Sequence, residues 1–138
     1  MIFVVGGEGF VGSAFCRYFE KQKLSYQSIN RKNYSSFKGQ RCSSLILAHG
    51  NSVKWLAEQD PEQDYERSVK AIHQAMLDFK SDQTILISSG DVYNDVSNPK
   101  KNSEDAPIQA SALSRYGFNK HQAEEIVKTH AKKWLVLT

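Results

Sequence analysis

Tyr116 and Lys120 stand four residues apart in the segment Tyr116-Gly117-Phe118-Asn119-Lys120. On a helix that spacing puts both side chains on one face. An ammonium beside a phenol favours phenolate and lowers the tyrosine pKa, so the pair can exchange a proton with a hydroxyl or carbonyl near neutral pH. Alone, the pair describes better an amphipathic tyrosine beside a surface lysine. Two upstream segments give it context. Gly6, Gly9 and Gly12 follow the apolar opening Met1-Ile2-Phe3-Val4-Val5 with G-x-x-G-x-x-G spacing. Such a turn between strand and helix lets backbone N–H groups approach a pyrophosphate, and the helix N-terminus adds a favourable dipole. Glycines at a strand-to-helix turn also serve packing, so this spacing too is weak by itself. The third segment is Ser88-Ser89-Gly90-Asp91-Val92-Tyr93. There Ser89 follows an apolar run, at the carboxyl end of a strand, where ligands of parallel sheets bind. Its hydroxyl can orient a reacting oxygen for Tyr116; Ser88 is the lesser candidate. The three segments in this order are far more specific than any one of them.

Other reactive residue types carry less. Arg31 is either a solvated loop residue or an anion contact, since a guanidinium suits a bidentate phosphate contact. His49 ends a strand and reads as structural, with the backbone of Ala48 and His49 free to line a ligand. His73, His121 and His130 fall on polar helix faces. Cys16 and Cys42 are isolated, which argues against a metal or redox motif and fits a reducing, cytoplasmic compartment. The net charge is +3, with Lys and Arg spread along the chain. Pairs such as Lys100-Lys101 and Lys132-Lys133 read as solvated surface, not as a nucleic-acid stripe. The apolar start lacks a preceding basic stretch and reads as a strand, not a signal peptide. No segment approaches the roughly 18 continuous apolar residues of a membrane span.

These side chains need a scaffold, and the hydrophobic pattern supplies one. Buried strands are expected at 2–5, 25–30, 44–48 and 84–88, with a fifth starting at Trp134. A helix is expected over 10–21, with Val11, Ala14, Phe15, Tyr18 and Phe19 on one face. Asp60-Pro61 reads as a helix start, Asp as N-cap and Pro in the first turn. Tyr65, Val69, Ile72, Met76 and Phe79 then form one apolar stripe. Ser114 or a neighbour opens a last helix that runs to about 133. Residues 31–41 read as a loop or a helical turn, and 50–60 (with Lys54 and Trp55) and 94–111 read as loops. Continuous apolar strands alternating with helices mean a parallel sheet covered on both faces. The 138 residues, 40% of them hydrophobic, make one domain, 1–138. The chain stops in or just after a strand, which reads as a domain that has been cut.

The chain resembles the extended short-chain dehydrogenase/reductase family, and within it the NAD-dependent epimerases and dehydratases that modify nucleotide sugars. The carriers are Gly6-x-x-Gly9-Phe10-Val11-Gly12, Leu47-Ala48-His49-Gly50, Ser88-Ser89-x-x-Val92-Tyr93 and Tyr116-x-x-x-Lys120. The resemblance implies a Rossmann-type doubly wound sheet that lacks the C-terminal substrate lobe. It implies NAD or NADP bound by Gly6, Gly9, Phe10, Val11, Gly12, Asn30, Arg31, Ala48, His49, Tyr116 and Lys120. It implies catalysis by Ser89, Tyr116 and Lys120 on a nucleotide-sugar substrate, and a homodimer through helices near 61–80 and 114–133. Asp91 fits equally a turn-forming residue or, as in dehydratases, an acid assisting elimination of water.

The chain departs from the pattern in places. Val5 stands where threonine is usual. Asn30-Arg31 replaces the acidic residue that NAD users carry at the end of the second strand, and Arg31 there favours NADP. Residues 31–43 are too short for the helix and strand usually inserted, and hold no Asp or Glu, so adenine recognition must differ. Two readings stay open: the cofactor-binding part of an epimerase, dehydratase or reductase, or a non-catalytic dinucleotide-binding module.

Overall fold

The computed structural model describes residues 1–95 and 97–138. In chain order it contains β1 (Ile2–Val5), α1 (Phe10–Lys21), β2 (Tyr26–Ile29), a single turn α2 (Tyr34–Phe37) and β3 (Arg41–Leu47). There follow α3 (Lys54–Gln59), α4 (Pro61–Tyr65), a π-helical turn (Glu66–Lys70), α5 (Ala71–Asp78), β4 (Lys80–Ile87), α6 (Arg115–His130) and β5 (Trp134–Leu137). The strands pair in the order β2-β1-β3-β4-β5, every pair parallel. This is the doubly wound parallel sheet expected from the sequence.

Alternation along the strands builds two cores. Phe3 and Val5 of β1, with Leu45 and Leu47 of β3, face α5 and α6 and pack with Ile72, Ala75, Phe79, Ala123 and Val127. Val4 and Ile46 point the other way, onto Cys16 and Phe19 of α1. The period-two switch of side chains on a strand makes this division.

Helix starts follow their caps. The Asp60 side chain accepts the N–H of Gln63 at 3.1 Å, and Ser114 Oγ accepts that of Gly117 at 3.1 Å. Four details depart from the sequence reading. β3 and β4 begin earlier than expected, because Arg41 and Lys80 extend the ladder and polar partners such as Arg41 and Asp82 pair across it. Trp55 lies on α3, not in a loop. The helix after Pro61 is interrupted by the π turn, which inserts a residue into the spiral and rotates Tyr65 off the stripe. Val69 and Ile72 are buried, whereas Tyr65 is 40% exposed. Phe79 is buried from an extended position just past α5. No helix of the described residues is long and apolar enough to cross a membrane.

Candidate active site

The turn from β1 to α1 is held by backbone contacts that leave no room for side chains. Gly6 has φ +84°, and a Cβ on it would come within 2.9 Å of the Ala48 carbonyl and the His49 nitrogen. Gly6 can therefore only be glycine, on both conformation and space. A Cβ on Gly12 would strike the Gly6 carbonyl, so α1 packs directly on the turn. The Gly9 N–H donates to Gly6 O at 3.0 Å and closes the turn. No side chain caps the N-terminus of α1, and its first turn carries no acidic residue. Its free N–H groups and positive dipole end are thus open to an anion.

Beside this turn lies a cleft of about 750 Å³. Gly6, Gly9, Asn30, Arg31 and His49 all line it, five of the residues expected at a cofactor site. Ala48 does not line the cleft; its backbone packs behind the turn, against Gly6. Phe10 and Val11 do not line the cleft and are exposed, Phe10 at 96%. Tyr34, Arg67 and Gln74 line it without having been singled out from the sequence. Their signal was hidden, because a polar residue on a helix looks solvated until the fold sets what it faces. The bare glycine cradle, the uncapped helix start and the adjoining cleft fit a dinucleotide.

The second cluster sits at the carboxyl ends of β3 and β4. Ser89 is extended just beyond β4, and its Oγ accepts the Asp91 N–H at 3.2 Å. Tyr116, in the first turn of α6, is 8% exposed. Lys120 Nζ lies 5.4 Å from the Tyr116 ring centre. A Cβ on Gly50 would lie 3.1 Å from that Nζ, so the lysine reaches the rim of the cleft. The predicted pair is therefore on one helix face and next to the ligand-sized space.

Electrostatics corrects one expectation. The Tyr116 pKa is raised, not lowered. Burial is the main cause, the Asp91 carboxylate adds to it, and Lys54 and the Ser89 hydroxyl oppose it. Lys120 sits over the ring face and is half-buried, and the loss of solvent pushes its pKa down; the Asp64 charge opposes that. Lys54 is the cation that acts on the phenol, and it is paired with Asp91 at 2.7 Å.

Beneath this cluster is a polar core that sequence reading missed. Asp64 is fully buried. It accepts hydrogen bonds from Asn51 Nδ2 at 2.7 Å, Asn119 Nδ2 at 2.6 Å and Ser68 Oγ at 3.3 Å. It ties α4 to the loop after β3 and to the residue beside Lys120. His49 Nε2 donates to the Ala71 carbonyl at 3.2 Å, and burial lowers its pKa.

No protein-family model matches the chain, and no curated protein matches it in sequence. Solved structures do. MoeE5 in complex with UDP-glucose and NAD superimposes with a TM-score of 0.79 at 18% identity, over 98% of this chain and 52% of that one. A UDP-glucuronic acid 4-epimerase from Bacillus cereus, in complex with a fluorinated UDP-sugar and NAD, gives 0.73 at 19% identity, over 98% and 55%. A dTDP-4-dehydrorhamnose reductase from Bacillus anthracis, in complex with NADP, gives 0.76 at 14% identity, over 98% and 51%. The chain spans about half the length of these structures. Together with the all-parallel sheet, these likenesses give the chain the Rossmann-type doubly wound fold of these epimerase and reductase structures.

Proposed function

We propose that these residues form the cofactor-binding part of an NAD(P)-dependent enzyme that epimerises or dehydrates nucleotide sugars. The observation that carries this is the meeting of two clusters: Lys120 Nζ, over the Tyr116 ring, abuts Gly50 on the rim of the glycine-turn cleft.

The bound cofactor supplies a nicotinamide that takes up or gives back a hydride. The chain's residues do the rest. The turn Gly6 to Gly12 and the uncapped start of α1 hold the pyrophosphate. Asn30 and Arg31 would hold the adenosine end, and His49, with the backbone of Ala48 behind it, would line the cofactor. Lys120 would bind the nicotinamide ribose. Ser89 orients the reacting oxygen of the sugar, and Tyr116 Oη gives or accepts its proton. Burial raises the pKa of this phenol, which favours the protonated form that gives a proton to a carbonyl oxygen. That supports a second reading, a sugar-nucleotide reductase. Both cysteines are unpaired, in keeping with a reducing, cytoplasmic setting. Pairing of two copies through the segment from α4 to α5 and through α6 belongs to the same reading. The apolar stripe is largely spent on the chain's own core, which leaves Leu77 and Tyr65 exposed for such a contact.

Tyr116→Phe tests the assignment, because it removes only the proton-transfer atom. In the complete protein that carries this chain, turnover of nucleotide sugars should fall about 10²–10⁴-fold, with dinucleotide binding retained. Full turnover in the Phe variant removes Tyr116 from the mechanism. A folded protein that binds dinucleotide but turns over no nucleotide sugar leaves the non-catalytic module.

A further inference from the structure

We propose that Glu8, in the glycine turn, selects NAD over NADP. The inference rests on the cofactor reading above. Asn30, at the end of β2, cannot itself act as the acid that accepts a ribose hydroxyl. Its side chain does something else. Asn30 Oδ1 accepts the N–H groups of Lys32 at 2.9 Å and Asn33 at 3.1 Å. With its oxygen so fixed, its amide Nδ2 donates to Glu8 Oε1 at 2.6 Å. The carboxylate is therefore pinned over the end of β2, inside the cleft that Gly6, Gly9 and Arg31 also line. An acid missing from the second strand is supplied from the first turn.

A carboxylate in this place has two effects. Its other oxygen is an acceptor for a ribose 2′-hydroxyl. It also repels a 2′-phosphate, and like charges in contact are a strong element against the wrong ligand. Arg31 and Lys32 line the same cleft, and alone they would favour the phosphate. Among the described residues, however, Arg31 makes no ion pair that fixes its guanidinium. Glu8 is held before the ligand arrives, whereas Arg31 must be ordered by it, and preorganised groups lose less on binding. Arg31, at the adenosine end, then adds only a general attraction for the negative charge common to both dinucleotides.

The test is calorimetric titration of NADH and NADPH into the chain and into Glu8→Gln and Arg31→Ala, each checked for folding by circular dichroism. The unaltered chain should bind NADH at least about tenfold more tightly than NADPH. Glu8→Gln keeps the size and an acceptor for Asn30, so NADH should weaken only about fivefold while NADPH tightens about tenfold or more. Arg31→Ala should weaken both and leave their ratio within about threefold. Binding of NADPH at least as tight as NADH, or a ratio that follows Arg31 instead of Glu8, overturns this inference alone. A folded chain that binds neither overturns the cofactor reading and this inference with it.

Discussion

Asp64→Ala is the substitution that bears most directly on how the site is held. Asp64 is fully buried, and its two shortest hydrogen bonds come from Asn119 at 2.6 Å and Asn51 at 2.7 Å. Bonds to a charged acceptor contribute about 1.5–3 kcal/mol each, so the two together are worth about 3–6 kcal/mol. Ser68, at 3.3 Å, adds little. Removing the carboxylate also relieves its own burial, which offsets part of the loss. Asn51 Nδ2 keeps a second acceptor, the Val53 carbonyl at 2.9 Å, whereas the Asp64 bond is the one found for Asn119 Nδ2. The net cost should be about 3 kcal/mol, a large share of a stability of about 5–15 kcal/mol. Urea unfolding followed by circular dichroism measures it as a lower midpoint at unchanged slope. Asp64→Asn keeps one acceptor oxygen and should lose about half as much. If Asp64→Ala stays within about 1 kcal/mol of the unaltered chain, the network does not hold α4, the loop after β3 and α6 together as argued.

Two other outcomes follow from the structure, beside the Tyr116 and Glu8 experiments. Gly12→Ala places a methyl against the Gly6 carbonyl, so α1 must shift; thermal melts should show a loss of about 1–3 kcal/mol, and an unchanged melt would mean that the turn has slack. His49 gives a pH effect of defined sign. Its Nε2 donates to Ala71, so a proton added at Nδ1 would be buried with no partner in the structure. Burial holds its pKa below 6.5, the Ala71 carbonyl opposes that and the Lys120 charge adds to it. The unfolded chain then binds the proton first, so stability is full above about pH 6.5 and falls as the pH drops toward the folded-state value. His49→Asn should flatten that part of the midpoint-against-pH curve between about pH 5 and 7, and an unchanged slope would assign the acid sensitivity elsewhere.

The elements were legible where chemistry is local. Strands such as Ile2–Val5 announce themselves as apolar runs, and the starts of α4 and α6 announce themselves through Asp60-Pro61 and Ser114. The extensions of β3 and β4 were not legible. Arg41 and Lys80 are strand residues only because a neighbour pairs with them, which no window of sequence records. The π turn was hidden for a related reason, since a stripe that continues through 65–79 reads as one helix whatever happens to its hydrogen bonds. Of the site, the glycine turn, Ser89, Tyr116 and Lys120 were visible as types at fixed spacings.

By itself the sequence determined the layered α/β order, the glycine turn and which side chains are able to carry protons. Periodicity and spacing are properties of a chain before it folds. The tertiary structure alone decided what those side chains feel. It buried Tyr116 and set Asp91 beside it, so that its pKa rises instead of falling. It linked Lys120 to Asp64, 56 positions away in the chain, and brought Glu8 within 2.6 Å of Asn30. Desolvation and charge–charge interactions depend on distance in space and on the water excluded between groups. Neither quantity exists until strands distant in sequence lie side by side.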